Sequence, residues 1–174
     1  DPAAALKWLT YAAELGNQFA QYRLGKLLLK GDDGIPKDVI TAIRWLTAAA
    51  KQENGYAEYA LALVYLTGED APKDSVKALS LLKRSAGRGN QFAQYRLGKL
   101  LLQGEDAPKD VKAAIRWLTA AAEQGNQYAQ YALGKLYLLG KEVPKDRSSA
   151  IKWFQLAADQ GNEYAQYFLK HMDD

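Results

Sequence analysis

Apolar residues recur at helical spacing over residues 126–139. In this stretch Ala129, Leu133, Leu136 and Tyr137 follow the pattern i, i+4, i+7, i+8. That spacing places all four side chains on one face of an α-helix. The pattern therefore predicts an amphipathic helix with one buried face and one polar face.

A second apolar arc of the same kind lies over residues 110–124. Arg116, Thr119 and Glu123 fall on the opposite side of the helix, where polar residues face water. The spacing predicts a second amphipathic helix that packs back against the first. The apolar arc consists of Ala114, Ile115, Trp117, Leu118, Ala121 and Ala122.

Capping residues mark the ends of both helices. An aspartate precedes each second helix, where its side chain can accept bonds from the free N–H groups of the first turn. A glycine follows each helix, where the chain commonly turns into the left-handed conformation. Glu53 replaces this glycine in one repeat, which leaves open a turn shifted by one residue at 53–55. The predicted aspartate caps are Asp1 (with Pro2 at the first helical position), Asp38, Asp74, Asp110 and Asp146, and the closing glycines are Gly16, Gly31, Gly68, Gly89, Gly104, Gly125, Gly140 and Gly161.

The helix pair recurs along the whole sequence. Pro36, Pro72, Pro108 and Pro144 are each followed by Lys-Asp and lie 36 residues apart. A fixed period of this size is typical of solenoids, in which each repeat buries its apolar face against its neighbours. We predict first helices at 17–30, 54–67, 90–103, 126–139 and 162–172, and second helices at 1–15, 38–52, 74–88, 110–124 and 146–160.

The fold class predicted from these elements is all-α, a right-handed α/α superhelical solenoid. We expect residues 1–174 to form a single solenoid that is a piece of a longer array, because the sequence opens on a second helix and closes on a first. Its parts are the second helix of a truncated unit at 1–16, full units at 17–53, 54–89, 90–125 and 126–161, and the first helix of a truncated unit at 162–174.

Small and large residues alternate between the helices at fixed positions. Gly25, Gly98 and Gly134 lie mid-helix, where glycine costs about 1 kcal/mol relative to alanine, so we expect a close approach of the partner helix. Ala62 takes the equivalent place in one repeat. The tryptophans on the second helices are predicted to fill the core, with ligand stacking as the alternative. They are Trp8, Trp45, Trp117 and Trp153, with Leu81 at the equivalent position.

Composition narrows the classes of function. The net charge of +3 is small and no Lys/Arg cluster occurs, which disfavours nucleic acid as a partner. There is no cysteine, so a disulfide framework and a cysteine metal site are excluded, and a reducing compartment such as the cytoplasm is weakly favoured. No apolar run approaches the length that a membrane span needs.

The repeated motifs carry a family resemblance over the whole chain. Ala-x-x-x-Leu-Gly-x-x-Tyr, Gly-x-x-x-Pro-Lys-Asp and Ala-x-x-Trp-x-x-x-Ala-Ala-x-x-Gly resemble the Sel1-like repeat, a relative of the tetratricopeptide repeat. The resemblance implies an adaptor or scaffold that binds proteins and is not an enzyme, as in bacterial signalling, secretion and host contact. Glu53 and Leu81 depart from the motif at single positions.

A second stripe on the first helices is the candidate binding surface, which we call the aromatic–lysine ladder. By analogy with tetratricopeptide arrays it would line the concave groove, where tyrosine suits interfaces and lysine favours a partner with carboxylates. We expect it to bind a peptide or protein segment. The ladder residues are Phe19, Tyr22, Lys26, Tyr56, Tyr59, Phe92, Tyr95, Lys99, Tyr128, Tyr131, Lys135 and Tyr167, with Tyr164 and the leucines Leu29, Leu63, Leu66, Leu102 and Leu138 beside them.

The alternative is that these aromatics only pack adjacent first helices together. We expect this mainly for the Phe19 tier, the positions equivalent to Phe19, and expect binding mainly from the Tyr22 tier, one helical turn later. The lysines have an equally simple interpretation as solvated helix residues. The Tyr22 tier is Tyr22, Tyr59, Tyr95, Tyr131 and Tyr167, and the Phe19 tier is Phe19, Tyr56, Phe92, Tyr128 and Tyr164.

Other functions receive less support from the sequence. His171 is the one histidine, no phosphate-binding loop is present, and no metal or other cofactor is implied. The loop acids Asp32-Asp33 and Glu105-Asp106 are interpreted as solvated turns. A structural spacer, or an array that self-associates through its truncated ends, is the main alternative to a binding scaffold.

Overall fold

Ten α-helices, and no strand, make up the regular structure of the described residues. A computed structural model describes residues 2–31 and 34–171. The predicted cap at Asp1 and the predicted solvated turn at Asp32-Asp33 lie outside this range. The helices are α1 Pro2–Glu14, α2 Gln18–Lys30, α3 Val39–Lys51, α4 Gly55–Thr67, α5 Ser75–Gly87, α6 Gln91–Gln103, α7 Val111–Glu123, α8 Gln127–Leu139, α9 Arg147–Asp159 and α10 Glu163–Lys170.

Side-chain caps define where the helices begin. The four aspartates preceding α3, α5, α7 and α9 each accept a bond from the N–H group three residues later, as at Asp110, whose Oδ1 lies 2.9 Å from the Ala113 nitrogen. The first helices use asparagine instead: Asn126 Oδ1 accepts from the Ala129 nitrogen at 3.0 Å. The aspartate caps are confirmed, and the asparagine caps are an addition to the sequence-based prediction.

Small residues let the two helices of a repeat approach closely. A Cβ added at Gly25 would lie 2.6 Å from Leu46 Cγ, and one at Gly134 would lie 2.6 Å from Phe154 Cδ1. Both distances are shorter than carbon atoms allow, so the glycines are required by the partner helix. The close approach expected from the mid-helix glycines is confirmed.

The helices group into two compact units, Asp1–Asn90 with α1 to α5 and Gln91–Asp174 with α6 to α10. Within the first unit, Ala13, Ala20 and Leu24 form a buried cluster between α1 and α2. Within the second, Leu118 and Leu133 join small alanines of α7 and α8 in a comparable cluster. Each core is therefore made of leucine set among alanines, the composition that the apolar arcs predict.

The tryptophans do not occupy the centre of this core. Trp8 is 69% exposed. In α3, α5, α7 and α9 the fully buried large side chain is the residue after the tryptophan or its substitute, namely Leu46, Leu82, Leu118 and Phe154, whereas Leu9 after Trp8 is only partly buried. The prediction that all four tryptophans fill the core is thus wrong for Trp8. Trp45 and Trp153 are partly buried because each packs on a core cluster formed by the first helix of its own repeat and the second helix before it.

The turn at Glu53 keeps the position of its counterparts. Glu53 has φ 66°, whereas the equivalent glycines have φ of 86–91°. Asn54 then caps α4 as the other asparagines cap their helices, so the turn is not shifted by one residue. A left-handed conformation costs a residue with a Cβ about 1–2 kcal/mol, so this turn is strained in the one repeat that lacks the glycine.

Paired glutamines join the helices at their capped ends. Gln160 Nε2 donates to Gln130 Oε1 at 2.8 Å, and Gln130 Nε2 donates to the Ala122 carbonyl at 3.0 Å. Gln52 and Gln21 form the same bridge at 2.9 Å. The buried side-chain amide of Gln130 therefore has a hydrogen-bond partner for both its oxygen and its nitrogen.

In the 54–89 repeat the glutamine bridge is replaced by charges. Glu58 is fully buried, and Arg88 Nε donates to its Oε2 at 3.1 Å. Arg84 Nη2 lies 2.7 Å from Glu58 Oε1 as an ion pair and donates to the Ala50 carbonyl. Two guanidinium groups thus hold one buried carboxylate where the other repeats use neutral amides.

The lysine of the Pro-Lys-Asp motif fixes the loop between the helices. A Cβ on Gly140 would lie 2.8 Å from Lys145 Cβ, so the loop closes onto the lysine stem. The ammonium group reaches the loop of the next repeat: Lys109 Nζ lies 2.7 Å from Glu142 Oε1, and Lys37 pairs with Asp70. The loop acid Glu142 is therefore part of an ion pair between repeats.

Candidate functional site

The two tiers of the ladder differ in exposure. In the Phe19 tier the exposed fraction ranges from 46% at Phe92 to 71% at Tyr164. In the Tyr22 tier the first four tyrosines are half-buried, and Tyr167 on α10 is 60% exposed. Exposure alone does not assign packing to one tier, so the expected division of roles between the two tiers stays a prediction.

Ring contacts link the tiers of successive first helices. The centroids of Tyr22 and Tyr56 are 5.8 Å apart, and those of Tyr131 and Tyr164 are 5.9 Å apart. Tyr95 contacts Tyr128 in the same way at 6.0 Å. Each contact joins a half-buried tyrosine to an exposed ring of the next repeat at a tilt of 35–41°, a favourable aromatic geometry. The ladder consequently packs the first helices together and still presents ring surface to a partner.

Burial raises the pKa of two ladder tyrosines further above the physiological range. Desolvation raises the pKa of Tyr22 above its ordinary value, and nearby Tyr56 raises it further, against a small opposing effect of Arg23. Burial likewise raises the pKa of Tyr131, with Tyr164 contributing. Both phenols therefore stay neutral across the physiological range and can donate or accept a hydrogen bond.

A groove between α6 and α8 brings four predicted ladder residues together. Its volume is about 290 Å³. Lys99 is half-buried and Lys135 exposed, and leucines and an alanine of α6 and α8 provide the apolar part of the lining, which we call the groove floor. The lining residues are Tyr95, Lys99, Leu102, Gln103, Tyr131, Ala132, Lys135, Leu136 and Leu139.

The three ladder lysines are available for an external anion. Among the described residues, no carboxylate pairs with Lys26, Lys99 or Lys135, and Lys26 Nζ instead lies 5.9 Å from the centroid of its neighbour Tyr22. In the 54–89 repeat Leu63 stands at the lysine position. The groove between α6 and α8 therefore has lysine on both of its helices, whereas α4 offers none at this position.

Several groove residues were missed by the sequence analysis. Gln103, Ala132, Leu136 and Leu139 line the groove but lie outside the predicted ladder. Leu139 is 49% exposed, an unusual position for a leucine at a helix end. The sequence carried a signal for this residue, because the equivalent positions hold lysine, threonine and glutamine.

A second cavity of about 300 Å³ lies at the turn before α4. It is formed by the ends of the second helices and the beginnings of the first. Phe19 and Tyr56 of the ladder line it together with the charged pair Glu53 and Arg88. The full set of lining residues is Gln18, Phe19, Glu53, Asn54, Gly55, Tyr56, Arg88, Gly89 and Asn90.

The described residues provide little for catalysis or metal binding. His171 is stacked on Tyr167, with centroids 4.3 Å apart, and its Nδ1 lies 2.8 Å from the Tyr167 carbonyl oxygen. In residues 2–31 and 34–171 no group of three or more His, Cys, Asp or Glu side chains is arranged to hold a metal. In that same part of the chain, none of the helices has both the length and the apolarity to cross a membrane.

These features define a class of protein, the α/α repeat proteins, in which helix pairs stack through small residues and present side chains of the first helices. The particular family follows from comparison. The family model described as Sel1 repeat matches residues 1–17, 18–54, 55–90, 91–126 and 127–162. The chain belongs to the Sel1 repeat family, and its fold is the α/α solenoid of that family.

Solved structures agree with this assignment. A protective antigen of uropathogenic Escherichia coli strains, which displays an SLR fold, is 35% identical, with a TM-score of 0.91 over 96% of this chain. A Sel1 repeat protein from Oxalobacter formigenes is also 35% identical, with a TM-score of 0.89 over 99% of this chain. Helicobacter pylori cysteine rich protein B, at 22% identity, shares the fold over 76% of this chain and 95% of its own, with a TM-score of 0.60.

The chain spans only part of its first two structural relatives, 36% of the Escherichia coli antigen and 50% of the Oxalobacter protein. No curated protein matches the sequence. Sel1 repeats in general are non-catalytic modules for protein–protein interaction.

Proposed function

We propose that this chain is a protein–protein interaction module, a scaffold rather than an enzyme, that binds a peptide segment in the groove between α6 and α8. The observation that supports it most is the composition of that groove. Four residues selected from the sequence as a binding ladder, Tyr95, Lys99, Tyr131 and Lys135, line a single cavity. Within the same unit, ladder residues on α10 continue this surface, since Tyr164 contacts Tyr131 at 5.9 Å between ring centroids.

The groove has the chemistry of a peptide-binding surface. Its volume of about 290 Å³ lies at the lower end of ligand pockets, which suits one apolar side chain better than a cofactor. Tyr95 and Tyr131 supply rigid rings with a polar tip, and such residues dominate binding energies at interfaces. The floor would take the apolar anchor of the peptide.

The charge of the groove specifies the partner further. Lys99 on α6 and Lys135 on α8 add positive charge to the apolar lining, without carboxylates of the described chain to neutralise them. An acidic segment with an apolar anchor would therefore be steered to the groove and held there. The expected partner is a protein or peptide with carboxylates flanking an apolar side chain.

The experiment that tests this compares partner binding by three proteins. Partners captured by the wild-type chain are identified by mass spectrometry, and their affinities are then measured by calorimetry. The variant Tyr95→Ala/Tyr131→Ala should keep its helical content and bind more than about tenfold more weakly, since each lost ring is an interface anchor. Tyr11→Ala is the matched control, because Tyr11 is an exposed tyrosine on α1 outside the ladder. Unchanged affinity in the double variant would place the site on the convex face or in the loops.

A second candidate function is self-association through the ends of the array. The exposed apolar side chains of α1 favour it: Trp8 and Leu15 are 69% and 70% exposed. Uncovered faces of this kind in repeat proteins tend to associate. Sedimentation at micromolar concentration tests it, and a monomer in that range would contradict it.

A further inference from the structure

We propose that the cavity beside Arg88 is a carboxylate-binding site for a partner peptide, and that the side chain of Glu53 occupies it in the free protein. The site lies within the 2–90 unit and is separate from the groove between α6 and α8. It would bind a carboxylate that has an apolar group next to it.

The positive charge of the site comes from Arg88, whose guanidinium group is held in place by the buried Glu58 carboxylate. Arg88 Nε donates to the buried Glu58 carboxylate at 3.1 Å, and Arg84 Nη2 lies 2.7 Å from the other oxygen of Glu58. Two guanidinium groups share one buried carboxylate, so one positive charge remains for a second carboxylate. The Nη1 edge of Arg88 faces that second carboxylate, which at present is Glu53 at 3.1 Å. A guanidinium held in this way is suited to bind an incoming carboxylate.

Glu53 is a weakly held occupant of the site. Its side chain is 72% exposed, and a pair so open to solvent contributes little to stability. Its backbone is in the left-handed conformation, where every equivalent residue is glycine. Strain that packing does not require is a mark of function, and here it places a carboxylate against Arg88. An external carboxylate could take the same position at little cost.

Apolar and backbone groups complete the site. Phe19 and Tyr56 line the cavity and are 63% and 53% exposed, so their rings can receive an apolar neighbour of the carboxylate. Asn54 and Gly55 place the beginning of α4 at the wall, and the positive end of that helix adds to the attraction. The ligand chemistry is therefore a peptide carboxylate beside an aromatic or aliphatic side chain.

The test uses small probes and the whole chain. N-acetylphenylalanine supplies a terminal carboxylate, N-acetyl-glutamyl-phenylalaninamide supplies a side-chain carboxylate, and N-acetylphenylalaninamide is the uncharged control. Each is titrated into the ¹⁵N-labelled protein while the Arg88 Nε–H and Gly55 amide signals are followed. The better of the two acidic probes distinguishes a chain terminus from an acidic residue as the natural ligand.

Two variants give opposite expected results. Glu53→Gln removes the internal competitor, and the affinity for the acidic probes should rise about two- to fivefold, the range that an exposed ion pair contributes. Glu58→Gln/Arg88→Gln removes the guanidinium and copies the glutamine bridge of the other repeats, so it should fold and bind at least about tenfold more weakly. Lys99→Gln/Lys135→Gln, in the other unit, should leave these titrations unchanged.

The proposal is overturned if Glu53→Gln fails to tighten binding of both acidic probes, or if the uncharged amide binds as well as they do. N-acetylargininamide provides the opposite charge. If the wild-type protein binds this cationic probe and the Glu53→Gln variant does not, the cavity is a site for basic ligands instead. The Glu53→Gln comparison stands by itself if the double variant proves unstable. Because the Lys99 and Lys135 groove lies elsewhere, failure here leaves the proposed function intact, and the converse also holds.

Discussion

The 54–89 and 126–161 repeats reach the same local geometry with different side chains. The first uses Glu58 with two arginines where the second uses the neutral Gln130–Gln160 bridge. At the close contact between helices, the first has Ala62 and the second has Gly134 opposite the ring of Phe154.

The turns and the ladder differ as well. In the turn that precedes the 54–89 repeat, Glu53 takes the left-handed conformation that Gly125 takes in the turn preceding the 126–161 repeat, with φ of 66° and 91°. Leu63 stands where the other repeat has Lys135. The comparison teaches that helix pairing requires a small residue and a satisfied buried polar group, while the charge of that group is free to vary and to serve binding.

The largest effect is expected from removing both arginines of the charged bridge. Arg84→Met/Arg88→Met leaves the Glu58 carboxylate buried without a partner, a situation that costs about 3–5 kcal/mol of unfolding free energy. Urea unfolding at neutral pH measures it. The control is Glu58→Gln/Arg88→Gln, which copies the neutral bridge and should unfold near the wild-type midpoint. A double methionine variant as stable as wild type would show that Glu58 is not held by these arginines.

The next effect concerns the small residue between paired helices. Gly134→Ala should lower stability by about 1–3 kcal/mol, because the new Cβ overlaps the Phe154 ring. Adding Phe154→Leu, which copies the Ala62 and Leu82 combination, should recover part of the loss. A double-mutant cycle measures this coupling directly. Additive losses from the two substitutions would contradict the contact.

Exchanging the turn residues Glu53 and Gly125 should change the free energy of unfolding by a smaller amount, with opposite sign at the two turns. Glu53→Gly removes the left-handed strain and should raise stability by about 1 kcal/mol, whereas Gly125→Glu introduces it and should lower stability by a similar amount. Thermal unfolding of both variants provides the measurement. A Glu53→Gly variant that is less stable than wild type would mean that the carboxylate outweighs the strain.

The smallest effect is expected at the cap of α9. Hydrogen bonds from the Ser149 hydroxyl and backbone N–H hold the pKa of Asp146 below its ordinary value of 3.8. A carboxylate with a lowered pKa in the folded state stabilises the protein above its ordinary pKa, and that contribution is lost as the pH falls through the folded-state pKa. Ser149→Ala should raise the pKa of Asp146 toward 3.8, as measured by NMR titration. In the 54–89 repeat the equivalent residue, Lys77, offers only its backbone N–H.

Much of the helical framework was predictable because its signals are local. Apolar spacing, aspartate caps and closing glycines each act within a few residues, so the observed helices begin and end close to the predicted positions. The aromatic–lysine ladder was found for the same reason, since its members share one helix face. Its role in binding stays a prediction.

The errors arose where two helices meet. Periodicity placed Trp117 and Leu118 on the same arc, a position that Trp153 and Phe154 share in the next repeat, yet Phe154 is fully buried and Trp153 only partly. Which of the two reaches the centre depends on the approach of α8, whose Gly134 leaves room above the ring. The buried pairing of Glu58 with Arg88 was missed because its partners lie 30 residues apart.

The sequence by itself determined the repeat, the helix ends, the small residues at the pairing contact and the family. Those properties depend on short-range spacing and on a period that any part of the chain displays. Only the tertiary structure decided which large residue of each second helix is fully buried and which ladder tier is exposed. It also decided that Lys99 and Lys135 share one groove, and that Glu53 lies against Arg88. Those outcomes depend on how neighbouring helices meet, since burial and pairing are properties of two surfaces and not of one.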